Sequence, residues 1–108
     1  MTTYGYMQIS SSWTSKGIGV RSTDSETLDW IIAEVPKLIN ISHAKVAKET
    51  VYGELTQYHI NNLSSSDMQI EWWIIKQMCL RGWEPFALYY HDGISLIALR
   101  CQLKEQEQ

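Results

Sequence analysis

Apolar positions along this 108-residue chain change period several times, and each change marks a boundary between predicted elements. From Thr3 to Ile9 the residues alternate, with Tyr4 and Tyr6 on one side and Met7 and Ile9 on the other, as in a strand. Ser10-Ser11-Ser12 interrupts that pattern. Ile18 to Arg21 reads as a second short strand, with Ser15-Lys16-Gly17 as the turn before it, although the Ser- and Gly-rich composition also fits a loop. Thr23-Asp24-Ser25-Glu26 has the form of a capping box, and its two acids suit the positive end of a helix dipole. Leu28, Ile31, Ile32, Val35, Leu38 and Ile39 then line one broad helical face. Pro36 removes a backbone donor and crowds the carbonyl of Ile32, so this helix kinks or ends near Val35. Trp30 lies off the main face.

Ala44, Ala47, Val51, Leu55 and Tyr58 are spaced three or four apart, which predicts a second helix beginning near Ser42. Gly53 opposes it by about 1 kcal/mol relative to Ala. A strand over Thr50–Ile60 is the alternative, disfavoured because neither alternating set is consistently apolar. After a polar loop, Ser66-Asp67-Met68-Gln69 again fits a capping box. Met68, Trp72, Ile75 and Cys79 form a narrow stripe suited to packing on a sheet. Trp73 and Leu80, extended by Ile70 and Ile74, make a second apolar side. Gly82 is placed to end the helix in a left-handed conformation. The period then switches to two. Asp92-Gly93 is a favoured two-residue hairpin turn, and counting back from it pairs Leu88 with Ile97, Phe86 with Leu99, Tyr89 with Leu96 and Ala87 with Ala98. Pro85 belongs near a strand start or on an edge. Lys104–Gln108 is a polar tail expected to fray, leaving 1–103 as a single domain.

The run Gln77-Met78-Cys79-Leu80-Arg81-Gly82-Trp83-Glu84-Pro85-Phe86, closed by Ile94–Arg100, resembles a family of small bacterial domains, and with them a bacterial or phage origin, in which a helix ends in Gly-Trp-Glu and feeds a hairpin. The resemblance covers roughly a third of the chain. Pro85 stands where that family carries an aliphatic residue, and the long N-terminal half is a further departure. It implies an α+β fold and carries no activity, so no catalytic residue transfers with it.

Composition narrows the function classes. Hydrophobic residues make up 44% of the chain and charged ones 19%, below the usual quarter, which points to a folded domain. A net charge of −3 with mixed signs gives no basic footprint, arguing against nucleic acid as a partner. No apolar run approaches the ~20 residues that span a bilayer, and Met1–Ile9 lacks the form of a signal peptide, so a cytoplasmic location without membrane association is expected. Cys79 and Cys101 lack Cys-x-x-Cys spacing and are expected to be free thiols inside the protein. His43, His59 and His91 lack metal-ligand spacing, so neither a metal nor another cofactor is expected. No assembled nucleophile and base is evident, and the reading leans away from an enzyme.

Five Trp and six Tyr are many for this length. The expected fold is α+β, with three helices on an antiparallel sheet of three or four strands. The expected function is non-catalytic protein–protein interaction, with the chain itself as partner in a homo-oligomer and another protein as a further partner. Trp30, Trp73, Leu80, Tyr89 and Leu96 are the interface candidates, as apolar residues beyond what one small core hides. The alternative is a small-molecule binder or minimal enzyme with a pocket lined by Tyr4, Tyr6, Glu84, Tyr90 and His91.

Overall fold

The computed structural model describes residues 3–38, 45–51 and 55–103. Its elements run β1 (Thr3–Ser12), β2 (Gly17–Ser22), α1 (Ser25–Glu34), β3 (Lys45–Val51), β4 (Leu55–Asn61), α2 (Ile70–Leu80), β5 (Glu84–His91) and β6 (Ile94–Leu103). Short 3₁₀ turns at Val35–Lys37 and Asp67–Gln69 adjoin the helices. The strands form one antiparallel sheet in the order β3-β4-β2-β1-β6-β5. The α+β class stands, but two α-helices and six strands replace the expected three helices and three or four strands.

One sheet face carries both helices. Met7, Ile9, Ile18, Val20, Ile60 and Leu99 point from the strands toward Leu28 and Ile31 of α1 and Ile74 and Met78 of α2, and all are fully buried. Burying each such side chain contributes roughly 1.5–3 kcal/mol. The opposite face carries Gln8, Ser10, Gly19, Gln57 and His59 over its centre, so the strands alternate apolar-in and polar-out as one-sided antiparallel sheets do. β1 runs through Ser10–Ser12 without interruption because Ser11 turns inward, where its hydroxyl lies 2.6 Å from that of Ser95.

The predicted helix near Ser42 is replaced by β3 and β4. Of β4, Thr56, Tyr58 and Ile60 face the core, while β3 is an edge strand with exposed side chains and needs no apolar alternation. Ser42, His43, Ala44 and Gly53 of that prediction, and the Lys104–Gln108 tail, lie outside the described residues. Both capping boxes shift. Thr23 extends the sheet, exchanging backbone and hydroxyl hydrogen bonds with Tyr6, and Asp24 caps α1 by accepting from the Thr27 N–H (3.1 Å). Before α2, the Ser64 hydroxyl rather than Ser66 accepts from the Asp67 N–H (3.1 Å). The helix α1 ends before Pro36, as expected.

Of the stripe predicted to pack on the sheet, only Met68, in the turn before α2, is fully buried. Ile70, Glu71, Ile74 and Met78 face the core, whereas Trp72 and Cys79 are exposed and Ile75 is half-buried. Gly82, at φ +90°, ends the helix. The Trp83 N–H reaches back to the Met78 carbonyl (3.0 Å) and the Gly82 N–H to the Cys79 carbonyl (3.2 Å), a Schellman motif whose following residue, Trp83, is buried. Asp92 and Gly93 turn the last hairpin with φ of 50° and 78°. Leu88–Ile97, Tyr89–Leu96 and Ala87–Ala98 pair as predicted, but Pro85 takes the place of Phe86 opposite Leu99, because the strand bulges between Pro85 and Ala87.

Candidate functional site

The hairpin turn at Asp92-Gly93 returns the chain as β6 alongside the central β1, which leaves β5 at the rim of the sheet. All eight residues of β5 are exposed. Their side chains are apolar over most of the length: Leu88 is 74% exposed, Tyr90 70%, Tyr89 59% and Phe86 46%, and Trp72 of the adjoining α2 is 66% exposed. Between Glu84 and His91 the strand has no charge. Leu88 and Tyr90 lie on the helix side, in register with Ile97 and Ser95; Tyr89 and His91 lie on the open side, in register with Leu96 and Ile94. On the helix side, Trp72, Ile75, Pro85, Leu88 and Ile97 line an apolar groove of about 490 Å³ between α2 and the hairpin.

A rim strand presents a row of unpaired backbone donors and acceptors to any extended chain that approaches. Proteins usually blunt such rims with charge, proline or bulges. The other rim, β3, carries the exposed Lys48 and Glu49. On β5, Pro85 and the Phe86 bulge blunt only the first residues, and Ala87–His91 is left as a regular, neutral, apolar edge.

The interface candidates divide. Trp30 and Trp73 stack on one another, with ring centroids 6.1 Å apart and planes 17° apart, and the Arg81 guanidinium sits 3.9 Å from the Trp30 ring centre. They are half-buried and join the two helices. Leu80 is exposed on α2, Tyr89 is exposed on the rim strand, and Leu96 is half-buried opposite Tyr89. The exposed residues that sequence reasoning did not assign to an interface are Trp72, Phe86 and Leu88. Phe86 and Leu88 lie in a run of five uncharged residues after Pro85, which marks an unguarded strand but not its place at the rim; Trp72 carried no such signal.

The pocket candidates fall in three places. Tyr4, Tyr6 and Glu84 surround Arg100 on the open face, where Arg100 Nε donates to Glu84 Oε1 (2.8 Å) and the guanidinium lies 5.3 Å from the Tyr4 ring and 5.4 Å from that of Phe86. Tyr6 and Phe86 pack with centroids 5.9 Å apart. His91 is at the other end of β5, seven residues or about 23 Å away, where it pairs with Asp92 at 2.9 Å. Tyr90 is on the helix side. The five do not meet in one concavity.

Two further groupings were not foreseen. Tyr58 of β4 donates to Asp29 Oδ1 of α1 (2.5 Å), which also accepts from Lys48 Nζ of β3 (3.0 Å). The Tyr58 hydrogen bond and then that of Lys48 hold the Asp29 carboxyl below its ordinary pKa, and the bond to Asp29 raises that of Lys48. Burial, with the carboxylate next to it, raises that of Tyr58. The second grouping is a shallow polar depression of about 260 Å³ on the open face, lined by Ser10, Ser12, Gly17, Gly19, His59 and Asn61. Beside it His59, Gln57 and Glu49 form a hydrogen-bonded cluster. Among the described residues no three His, Cys, Asp or Glu side chains gather closely enough to hold a metal ion, and no helix is long and apolar enough to cross a membrane. Cys79 and Cys101 are both free, and Cys79 is exposed rather than buried as expected.

The chain was compared with known proteins. No protein-family model matches it, and neither does any curated protein. It is similar to the crystal structure of a conserved kinetoplastid-specific protein from Trypanosoma cruzi, with a TM-score of 0.56 and 14% identity over 94% of this chain and 96% of that one. The fold is shared. At that identity the likeness extends to the fold alone, and its kinetoplastid source lends no support to the bacterial or phage origin expected from the C-terminal motif.

Proposed function

We propose that this chain is a non-catalytic interaction protein that works by adding a strand of another polypeptide to its β5 edge. The observation that carries this reading is the regular, uncharged Ala87–His91 segment, with Leu88, Tyr89 and Tyr90 exposed on its two faces and Trp72 beside it. Strand addition combines main-chain hydrogen bonds with pockets for alternate side chains. The apolar groove between Trp72 and Leu88 would take those side chains on the helix side. Phe86, Leu88, Tyr89, Tyr90 and Trp72 together expose on the order of 600 Å² at 150–250 Å² per large side chain, the upper end for a patch on a protein without a partner. The free, exposed thiol of Cys79 favours a reducing compartment, and the cytoplasm is the proposed location.

Photo-crosslinking tests this in the cell. A benzophenone side chain at Tyr89 is expected to give discrete protein adducts that vanish when Leu88 and Tyr90 are both replaced by Lys. Adducts no more abundant than those from the exposed Val46 on the opposite rim, β3, would overturn the reading.

A further inference from the structure

Resting on that reading of the edge, we infer that its occupant is the β5 strand of a second copy of this chain, paired antiparallel about a two-fold axis that passes through Tyr89. Area is the first argument. Two copies bring roughly 1,200 Å² of exposed side chain to the seam, of which edge pairing covers the part flanking β5, and the paired main chain adds to it; specific interfaces begin near that size.

Register is the second argument. In an antiparallel pair, residues directly opposite point to the same face. Across Ala87–His91 the faces alternate regularly, so an axis at Tyr89 sets Leu88 opposite Tyr90 of the partner subunit on the helix side and Ala87 opposite His91 of the partner subunit on the open side. This register uses the whole regular segment. It leaves Pro85, which has no N–H to give, and the bulged Phe86 outside the new ladder.

Charge and closure are the third. No charge between Glu84 and His91 meets its own image across the axis. Glu84 is already paired with Arg100, and the His91 ring lies 2.9 Å from the Asp92 carboxylate. Joining β5 to the β3 rim instead would be head-to-tail and would propagate into filaments, and Lys48 and Glu49 guard that rim. A β5–β5 seam closes on itself, giving a continuous twelve-stranded sheet with all the helices on one face.

The experiment uses the full chain, purified alone. Sedimentation velocity is expected to give twice the chain mass, falling to the single mass in Leu88→Lys with an unchanged circular dichroism spectrum, since Leu88 is exposed. A second measurement fixes the axis. With Cys79 and Cys101 replaced by Ser, Tyr89→Cys is expected to form a disulfide-linked dimer under mild oxidation, because opposed Cα atoms in an antiparallel pair lie within disulfide reach. Leu88→Cys, whose opposite residue is Tyr90 of the partner subunit, is expected to remain largely unlinked. A monomeric wild-type chain, a dimer that persists in Leu88→Lys, or equal linkage at 88 and 89 would each overturn the inference. A wild-type monomer that still gives Leu88-dependent adducts with a different polypeptide in cells would refute self-pairing and leave the edge reading intact. Loss of both signals would refute both.

Discussion

At the residue scale, the side chains that set element boundaries are those whose polar atoms find a backbone or charged partner. Asp24 satisfies an N–H that the first turn of α1 leaves orphaned and also accepts from the Thr27 hydroxyl (2.6 Å). Asp24→Ala is expected to lower stability by about 1 kcal/mol, measured by chemical denaturation. The sequence pattern placed this cap one residue early, because Thr23 is an equally good capping residue and only the pairing of Thr23 with Tyr6 in the sheet decides between them. Asp29 was legible only as a polar helix position. Its partners Tyr58 and Lys48 come from strands that the sequence pattern had assigned to a helix. Because its folded pKa is lowered, the stabilisation from Asp29 is present above the carboxylate's unfolded pKa of about 3.9 and is lost as pH falls through the folded value. Lys48, with a raised pKa, adds stability below its unfolded pKa of about 10.4 and loses it as pH rises through the folded value. Melting curves of Asp29→Asn are expected to show a weaker fall in stability on the acid side than the wild type. An unchanged acid limb would show that the Asp29 network carries none of it.

At the element scale, α2 shows where periodicity stops being decisive. Apolar residues surround most of this helix, so two stripes were visible and only the packing chooses between them. Ile74 and Met78 are fully buried while Trp72 and Leu80 are largely exposed. Ile74→Ala is therefore expected to destabilise by 2–5 kcal/mol, whereas Trp72→Ala should stay within about 0.5 kcal/mol, as substitutions on an exposed surface do. A reversed order of effects in thermal unfolding would contradict the assigned faces. Gly82 gives a cleaner test. A Cβ there meets nothing within 4 Å, so Gly82→Ala isolates the backbone cost of its positive φ, about 1 kcal/mol. The C-terminal hairpin was readable because Asp92-Gly93 fixes both turn and register. β3 was not readable, because an exposed rim strand has no alternation to display, and its residues happened to share helical spacing with those of β4.

At the scale of the whole molecule, a one-sided sheet has two rims, and here they differ in kind: β3 bears charge and β5 bears apolar side chains. That asymmetry was invisible in the sequence, which gave the hairpin but not its place at the end of the sheet. It is also why the interface candidates were only partly found. Tyr89 and Leu80 are exposed, Trp30 and Trp73 stack on each other, and Leu88 was read only as the cross-strand partner of Ile97. The central claim is that the β5 rim is paired when the protein works. Hydrogen exchange of the Ala87–His91 amides, followed as protein concentration rises, tests it most directly. In a free rim strand alternate N–H groups face solvent and exchange at nearly unprotected rates. The account predicts that these amides become protected with increasing concentration in the wild type and stay unprotected in Leu88→Lys. Fast exchange of the outward amides at every concentration, identical in both proteins, would contradict it.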